Sequence, residues 1–353
     1  MPPGLIDTAA ILRTGAGTDG VHRAFKAGQL VRIRRGFFVS TEDWLNALPS
    51  QRFAWTTTSL ARSVKGAVLC GQTAAVASGL PTLGTPPCVE LATALPGRSG
   101  IRKSPLLVLG GDGTAQDVRR TRSYPLRYRL KSVLEPVRHG EFLCTGLMET
   151  TVDVISSTNL SQALVLADGA ARKLLADGVV DPGASLLSVP GIAAGIAALP
   201  SAAARRRAER VAALASPQPE SVGESYSRAI FEFLGFEQPE LQHVFRDGSG
   251  FIGRSDFWWP SQGVVGEFDG KGKYVQAALR DGMTADEAVY REKLREDRIR
   301  ALGHGFVRWR WADLTDPSRL RCKLLATGLR PLLATGLRPG CGTSSPANQK
   351  LVR

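Results

Sequence analysis

Two strand-length apolar runs separated by a proline turn constrain this chain most. They are Phe251-Ile252-Gly253-Arg254-Ser255-Asp256-Phe257-Trp258-Trp259 and Val264-Val265-Gly266-Glu267-Phe268-Asp269, joined by Pro260-Ser261-Gln262-Gly263. Aromatic and β-branched residues bounded by Pro and Gly predict two neighbouring strands. Alternation then puts Glu267 and Asp269 on one face while Phe268 points oppositely into a core. Cross-strand pairing brings Asp256 near them, so a compact carboxylate group is geometrically available. Phosphodiester hydrolysis can use such carboxylates to hold a divalent metal that orients water and neutralises charge developing on phosphate. For any one of these acids, a solvated strand end is the alternative.

Charge points the same way. The chain has 353 residues with 45 Lys plus Arg against 32 Asp plus Glu, a formal net charge of +13. A polyanionic partner follows, a nucleic acid being the first to test, although charge by itself does not distinguish DNA, RNA and membrane surfaces. This length suits two or three domains. Cys70, Cys88, Cys144, Cys322 and Cys341 form no CxxC pair and no dense disulfide spacing, which predicts a reduced, cytoplasmic chain. Met1 to Asp7 lacks the features of a secretory signal, and no apolar run predicts a membrane span. The four histidines show no zinc spacing, and Gly110-Gly111-Asp112-Gly113 reads as a turn rather than a phosphate loop.

Proline-rich breaks at Pro81, Pro86-Pro87 and Ser216-Pro217-Gln218-Pro219 divide the chain into regions 1–87, 88–215, 220–315 and a helical or flexible tail over 316–353. In the first, short helices over Ile6 to Arg13 and Val21 to Ala27, the latter capped by Thr18, precede a strand pair over Leu30 to Val39. This package suggests a small winged helix-turn-helix. Arg32, Arg34 and Arg35 then contact phosphate, or else form a solvated basic hairpin. Further helices are expected over Phe53 to Ser63 and Gly71 to Gly79.

The middle region predicts strands at Cys88 to Thr93 and Leu106 to Leu109, then a basic tract carrying Arg119, Arg120, Arg122, Arg127, Arg129, Lys131 and Arg138. Tyr124 and Tyr128 are interspersed, so the tract fits phosphate contact with base stacking, or equally the charged surface of a sheet. Helices follow over Ala163 to Leu175 and Gly191 to Leu214, divided at Pro200.

In the third region Glu224 stands at the start of a helix over Ser225 to Leu234, where it can cap the helix or approach a metal. Asp256 and Glu267 are the leading metal ligands, with Glu224 or Asp269 in an outer position and Mg2+ or Mn2+ the expected ion. Lys271, and secondarily Lys273, are placed to orient water or to stabilise phosphate charge. A later helix carries Arg291, Arg295 and Arg298, which can reach DNA phosphate or form local salt bridges. Phe306 to Trp311 predicts a last strand. Beyond it, Leu324 to Pro331 is repeated at once as Leu332 to Pro339, too short a repeat for a solenoid.

These residues resemble the PD-(D/E)xK restriction-endonuclease-like superfamily, especially its Vsr-like and DUF559-like branch. The resemblance spans about residues 220 to 315: Glu224, Asp256 in Ser-Asp-Phe-Trp-Trp-Pro, Glu267 in Glu-Phe-Asp-Gly-Lys, Tyr290 to Gly303 and Phe306 to Trp309. It implies a mixed central sheet flanked by helices and metal-dependent nuclease chemistry. Asp269 stands in the usual lysine place, with Lys271 two residues later.

Separately, Gly4-Leu5-Ile6, Gly28 to Val39 and, more weakly, Gln72 to Pro81 resemble the AbiEi-type winged-helix antitoxin-regulator family over about residues 1 to 160. That resemblance implies duplex-DNA binding or transcriptional regulation, as in type IV toxin–antitoxin systems, where a protein toxin is the partner. The expected architecture is therefore an α/β multidomain chain. It has an N-terminal winged helix-turn-helix, a mixed middle segment and a C-terminal restriction-endonuclease-like α/β/α domain. The competing non-enzymatic expectation is a regulator that keeps this fold and only binds DNA.

Overall fold

Near the N-terminus, Asp7 accepts hydrogen bonds from the backbone N–H groups of Ala9 and Ala10, which fixes where strand β1 (Ile6–Asp7) gives way to helix α1 (Thr8–Arg13). Helix α2 (Asp19–Lys26) follows, then β2 (Leu30–Arg34) and β3 (Phe37–Ser40), which pair antiparallel. The tight return between them needs the left-handed backbone of Gly36, at φ 82°. Thr18 precedes α2 as expected, yet its side chain makes no capping bond. The sheet order is β1-β3-β2, and Val31, Ile33 and Val39 pack with Trp44 of α3 (Thr41–Asn46) and Trp55 of α4 (Pro49–Ser63).

The computed structural model describes residues 2–103, 118, 124–181, 183–270 and 284–332. It forms two compact units, Met1–Val154 with Ala194–Ala198, and Ile155–Ala193 with Leu199–Arg353. In the first unit β4 (Val68–Leu69), α5 (Gly71–Ala77), β5 (Val89–Thr93), β6 (Gly100–Arg102), β7 (Leu126–Leu130), β8 (Val137–His139) and β9 (Phe142–Cys144) follow. Their strands form a mixed six-stranded sheet in the order β6-β7-β5-β4-β9-β8. The run Leu106 to Leu109 and the turn at Gly110 to Gly113 lie outside the described residues.

Helices α6 (Leu147–Ser157), α7 (Leu160–Ala176), α8 (Pro190–Ala197) and α9 (Ala202–Leu214) come next, and Pro200 falls in the break between the last two. The second unit is built on α10 (Val222–Leu234), β10 (Glu240–Asp247), β11 (Gly250–Trp259), β12 (Val264–Phe268), α11 (Ala285–Ala301) and β13 (Gly305–Trp309). Its sheet runs β10-β11-β12-β13, antiparallel except for the parallel pair β12–β13. Trp311, expected at a strand end, instead opens α12 (Trp311–Leu314), because the Asp313 carboxylate accepts from the Arg310 N–H at 2.9 Å and turns the chain. Helix α13 (Pro317–Ala326) ends the described elements, and the second copy of the repeat lies outside them from Leu333 on.

The two faces of this sheet have separate cores. On one, Phe257, Trp259 and Trp309 surround Phe231 of α10, and the Trp309 indole N–H donates to Ser227 Oγ at 2.8 Å. Phe268 lies directly on Gly223, where an added Cβ would sit 2.0 Å from the ring. On the other, Phe245, Ile252, Trp258, Val265 and Phe306 pack with Ile299 of α11. Helix α10 is also tied to α7 by a buried ion pair, with Arg228 Nη1 at 2.8 Å from each Asp168 carboxylate oxygen. Among the described residues no helix is long and apolar enough to cross a membrane.

Candidate functional site

Strand register places the acidic residues. Phe257 pairs with Gly266 and Trp258 with Val265, so one further step sets Asp256 across from Glu267. The ladder stops there because the Asp256 carboxylate itself accepts from the Phe268 N–H at 2.9 Å. Phe268 faces α10, and Glu267 and Asp269 both turn to the other side, where each reaches Arg308. The alternation expected from sequence therefore holds at these three positions.

Glu224 is 1% exposed and accepts from Ser221 Oγ and from the Glu220 N–H, both at 2.8 Å, while its own N–H donates to Ser221 Oγ. Ser221 is therefore the N-cap of α10, and Glu224, in the first turn, holds that cap in place rather than capping the helix itself. A further contact links it to the sheet: Gln242 Nε2 on β10 donates to Glu224 Oε2 at 3.1 Å. Gln242 is the one described non-glycine residue with positive φ, at 55°. Leu241 pairs with Phe257 and His243 with Ser255, so Gln242 stands across from Asp256. Left-handed backbone at a non-glycine residue is costly and is concentrated at functional sites. Sequence reasoning passed over Gln242, because nothing in its residue type announces that conformation.

Two arginines close on Glu267. Arg295 of α11 hydrogen-bonds Glu267 Oε1 and Glu292, and Arg308 of β13 lies 3.0 Å from Glu267 Oε2 while also pairing with Asp269, Glu292 and Glu296. Arg295 reaches across β11 at Gly253, where an added Cβ would meet its Cδ at 2.6 Å. Burial pushes Glu267 up to about 7, with Arg295 and Arg308 pulling the other way. Glu292 is also resisted by burial, but hydrogen bonds from both arginines leave it below the usual carboxylate range. Arg298 pairs with Asp247 at 2.8 Å.

The donor set suits a hard cation in one respect. Mg2+ commonly takes one or two carboxylates and keeps several waters, a number that Asp256 and Glu267, opposite each other on adjacent strands, would match. Among the described residues no group of three or more His, Cys, Asp or Glu is placed to hold a metal ion. Glu224 and Asp269, expected in outer positions, are not gathered with Asp256 and Glu267 into such a group. Lys271 and Lys273 lie outside the described residues.

At the N-terminal hairpin the arginines diverge. The Arg32 guanidinium lies 5.3 Å from the ring centre of Phe25, and with exposed Arg35 it lines a cleft containing His22 and Lys26 of α2. Arg34 instead faces α4 and the larger sheet. Of the middle basic tract, Arg129 lies 3.4 Å from buried Glu90, and Lys131 pairs with Glu149 and Asp153. Those two side chains serve the sheet surface. Arg119, Arg120 and Arg122 lie outside the described residues. Against known proteins, no family model matches this chain and no curated protein is significantly similar to it.

Proposed function

We propose that the chain binds duplex DNA through its N-terminal helices and basic hairpin and cleaves DNA phosphodiesters in a metal-dependent reaction at Asp256 and Glu267. One observation carries this reading: the β11–β12 register sets these two carboxylates across from each other at a strand end. The mixed sheet flanked by α10 and α11 supports the restriction-endonuclease-like assignment, and the two helices before the β2–β3 hairpin support the AbiEi-type one. When bound, Mg2+ or Mn2+ supplies an activated water and polarises the scissile phosphate. Asp256 and Glu267 would hold it, Glu224, bonded to Gln242, would take an outer position, and Lys271 is assigned to the phosphate or the water. The reaction belongs to a cytoplasmic setting.

A second reading has its own support. Arg295 and Arg308 already neutralise Glu267, which favours a regulator that keeps the fold and only binds DNA, with a protein toxin as partner if it is antitoxin-like. A nicking assay on duplex and single-stranded DNA with Mg2+ or Mn2+ separates the two. The first reading expects cleavage that Asp256→Ala and Glu267→Ala each abolish while DNA binding persists. Unchanged cleavage in the variants rejects the site, and tight binding without cleavage selects the regulator.

A further inference from the structure

Several part-buried or buried arginines in this protein have carboxylate partners. Arg129 pairs with Glu90, Arg228 with Asp168, and Arg295 and Arg308 with Glu267. Arg34 differs. It is partly buried, yet its guanidinium makes no hydrogen bond or ion pair among the described residues. Burial accordingly lowers its pKa below the usual arginine value, with no carboxylate to offset the effect. A partly desolvated cation without a counter-ion is unfavourable, so the surroundings of Arg34 show what it awaits.

Those surroundings are largely cationic. Arg34 borders one cleft with Asp7, Arg13, Arg35 and Arg62, and another of about 350 Å3 with Arg98, Arg102 and Lys103, which no Asp or Glu lines among the described residues. Arg98 is held in place, its guanidinium 4.7 Å from the Tyr128 ring centre and donating to Tyr128 Oη at 3.2 Å. Arg102 is anchored by donating to the Arg98 carbonyl at 3.1 Å. Because Tyr128 Oη is the acceptor from Arg98, its own hydrogen remains to be donated, and no acceptor for it is found among the described residues. The cleft thus offers cations with a neutral hydroxyl donor, the set that recognises a tetrahedral oxyanion. Its volume lies within the roughly 300–1,000 Å3 of small-ligand sites, so a phosphate with an attached organic group fits.

We infer that this cleft, between the β2–β3 hairpin, α4 and the β6–β7 edge, is a phosphate-binding site in which Arg34 and Tyr128 contact the anion and Arg98, Arg102 and Lys103 surround it. The inference does not depend on the nuclease reading. The phosphate belongs either to the DNA backbone or to a diffusible phosphomonoester, two sources of one chemistry.

Isothermal titration of the full chain with inorganic phosphate, at ionic strength matched with chloride, tests it. Phosphate is expected to bind, and Arg34→Gln and Tyr128→Phe are each expected to weaken it, the former by about tenfold or more, as loss of a charged hydrogen bond implies. The exposed Lys65→Gln control keeps wild-type affinity. Repeating the titration with adenosine 5′-monophosphate in the presence of saturating duplex DNA assigns the source: retained binding indicates a diffusible ligand, and exclusion indicates backbone phosphate. Arg34 has no partner among the described residues to orphan, so its variant should keep the wild-type thermal midpoint, and Arg34→Lys should restore part of the affinity. Absence of phosphate binding at millimolar concentration overturns the inference. So does equal affinity in wild type and both folded variants.

Discussion

Replacing Asp168 by alanine should destabilise the second unit more than any change at its candidate site. Asp168 is fully buried and Arg228 is 5% exposed, and they meet through two 2.8 Å bonds. Asp168 Oδ1 also accepts from the Ser216 N–H at 2.9 Å, while Arg228 Nη2 donates to the Leu214 carbonyl. Deleting the carboxylate leaves a buried guanidinium and an unpaired backbone donor. Breaking a buried pair in this way costs about 3–5 kcal/mol. At about 2–4 °C per kcal/mol for a domain of roughly 150–250 residues, the thermal midpoint should fall by about 6–20 °C. Differential scanning calorimetry reads the shift. Arg228 Nε has no hydrogen-bond partner among the described residues, so the double variant Asp168→Ala/Arg228→Met should recover most of the loss. A drop of under about 2 °C in the single variant, or a double variant no better than the single, refutes the reasoning.

Two other expectations rest on charge. In the metal-free protein, burial raises Glu267 to about 7, so between the ordinary carboxylate range and neutrality the folded state holds a proton that the unfolded chain has lost. Stability relative to Glu267→Gln should therefore fall as pH rises through that window and level off above about 7, measured by urea unfolding at several pH values; a flat difference contradicts the placement of Glu267. For the hairpin, Arg32→Gln and Arg35→Gln should each lower the slope of log affinity for duplex DNA against log salt by about 1. An unchanged slope removes that residue from the interface.

Which parts of this chain could be read from sequence follows from the range of the interactions involved. The β11–β12 hairpin was legible because its signals are local: alternation through Glu267, Phe268 and Asp269, and a turn at Pro260. The split of α8 from α9 at Pro200 is legible for the same reason. What escaped is set by tertiary approach. Arg295 belongs to a helix whose charges look solvent-facing in sequence, yet the bare Gly253 lets it lie across β11 and meet Glu267. Arg32, Arg34 and Arg35 read as one basic patch, whereas across the irregular register Arg32 and Arg34 enter different clefts, and Arg35 borders one with each of them. Gln242 could be recognised only once its backbone conformation was known.

The charges around Glu267 set how far the fold depends on it. Glu267, Asp269, Glu292 and Glu296 share Arg295, Arg300 and Arg308, so four carboxylates meet three guanidiniums among the described residues. Arg308 serves all four carboxylates and Arg295 serves Glu267 and Glu292, so the cations here are shared. Glu267 is the most buried of the four, and its pKa is raised because burial outweighs the two guanidiniums beside it. Removing Glu267 leaves Arg295 with Glu292 and Arg308 with Asp269, Glu292 and Glu296, whereas removing Asp168 leaves Arg228 buried without the carboxylate that faces it. A buried charge left uncompensated retains its desolvation cost. Substituting Glu267 should for that reason disturb the fold less than substituting Asp168.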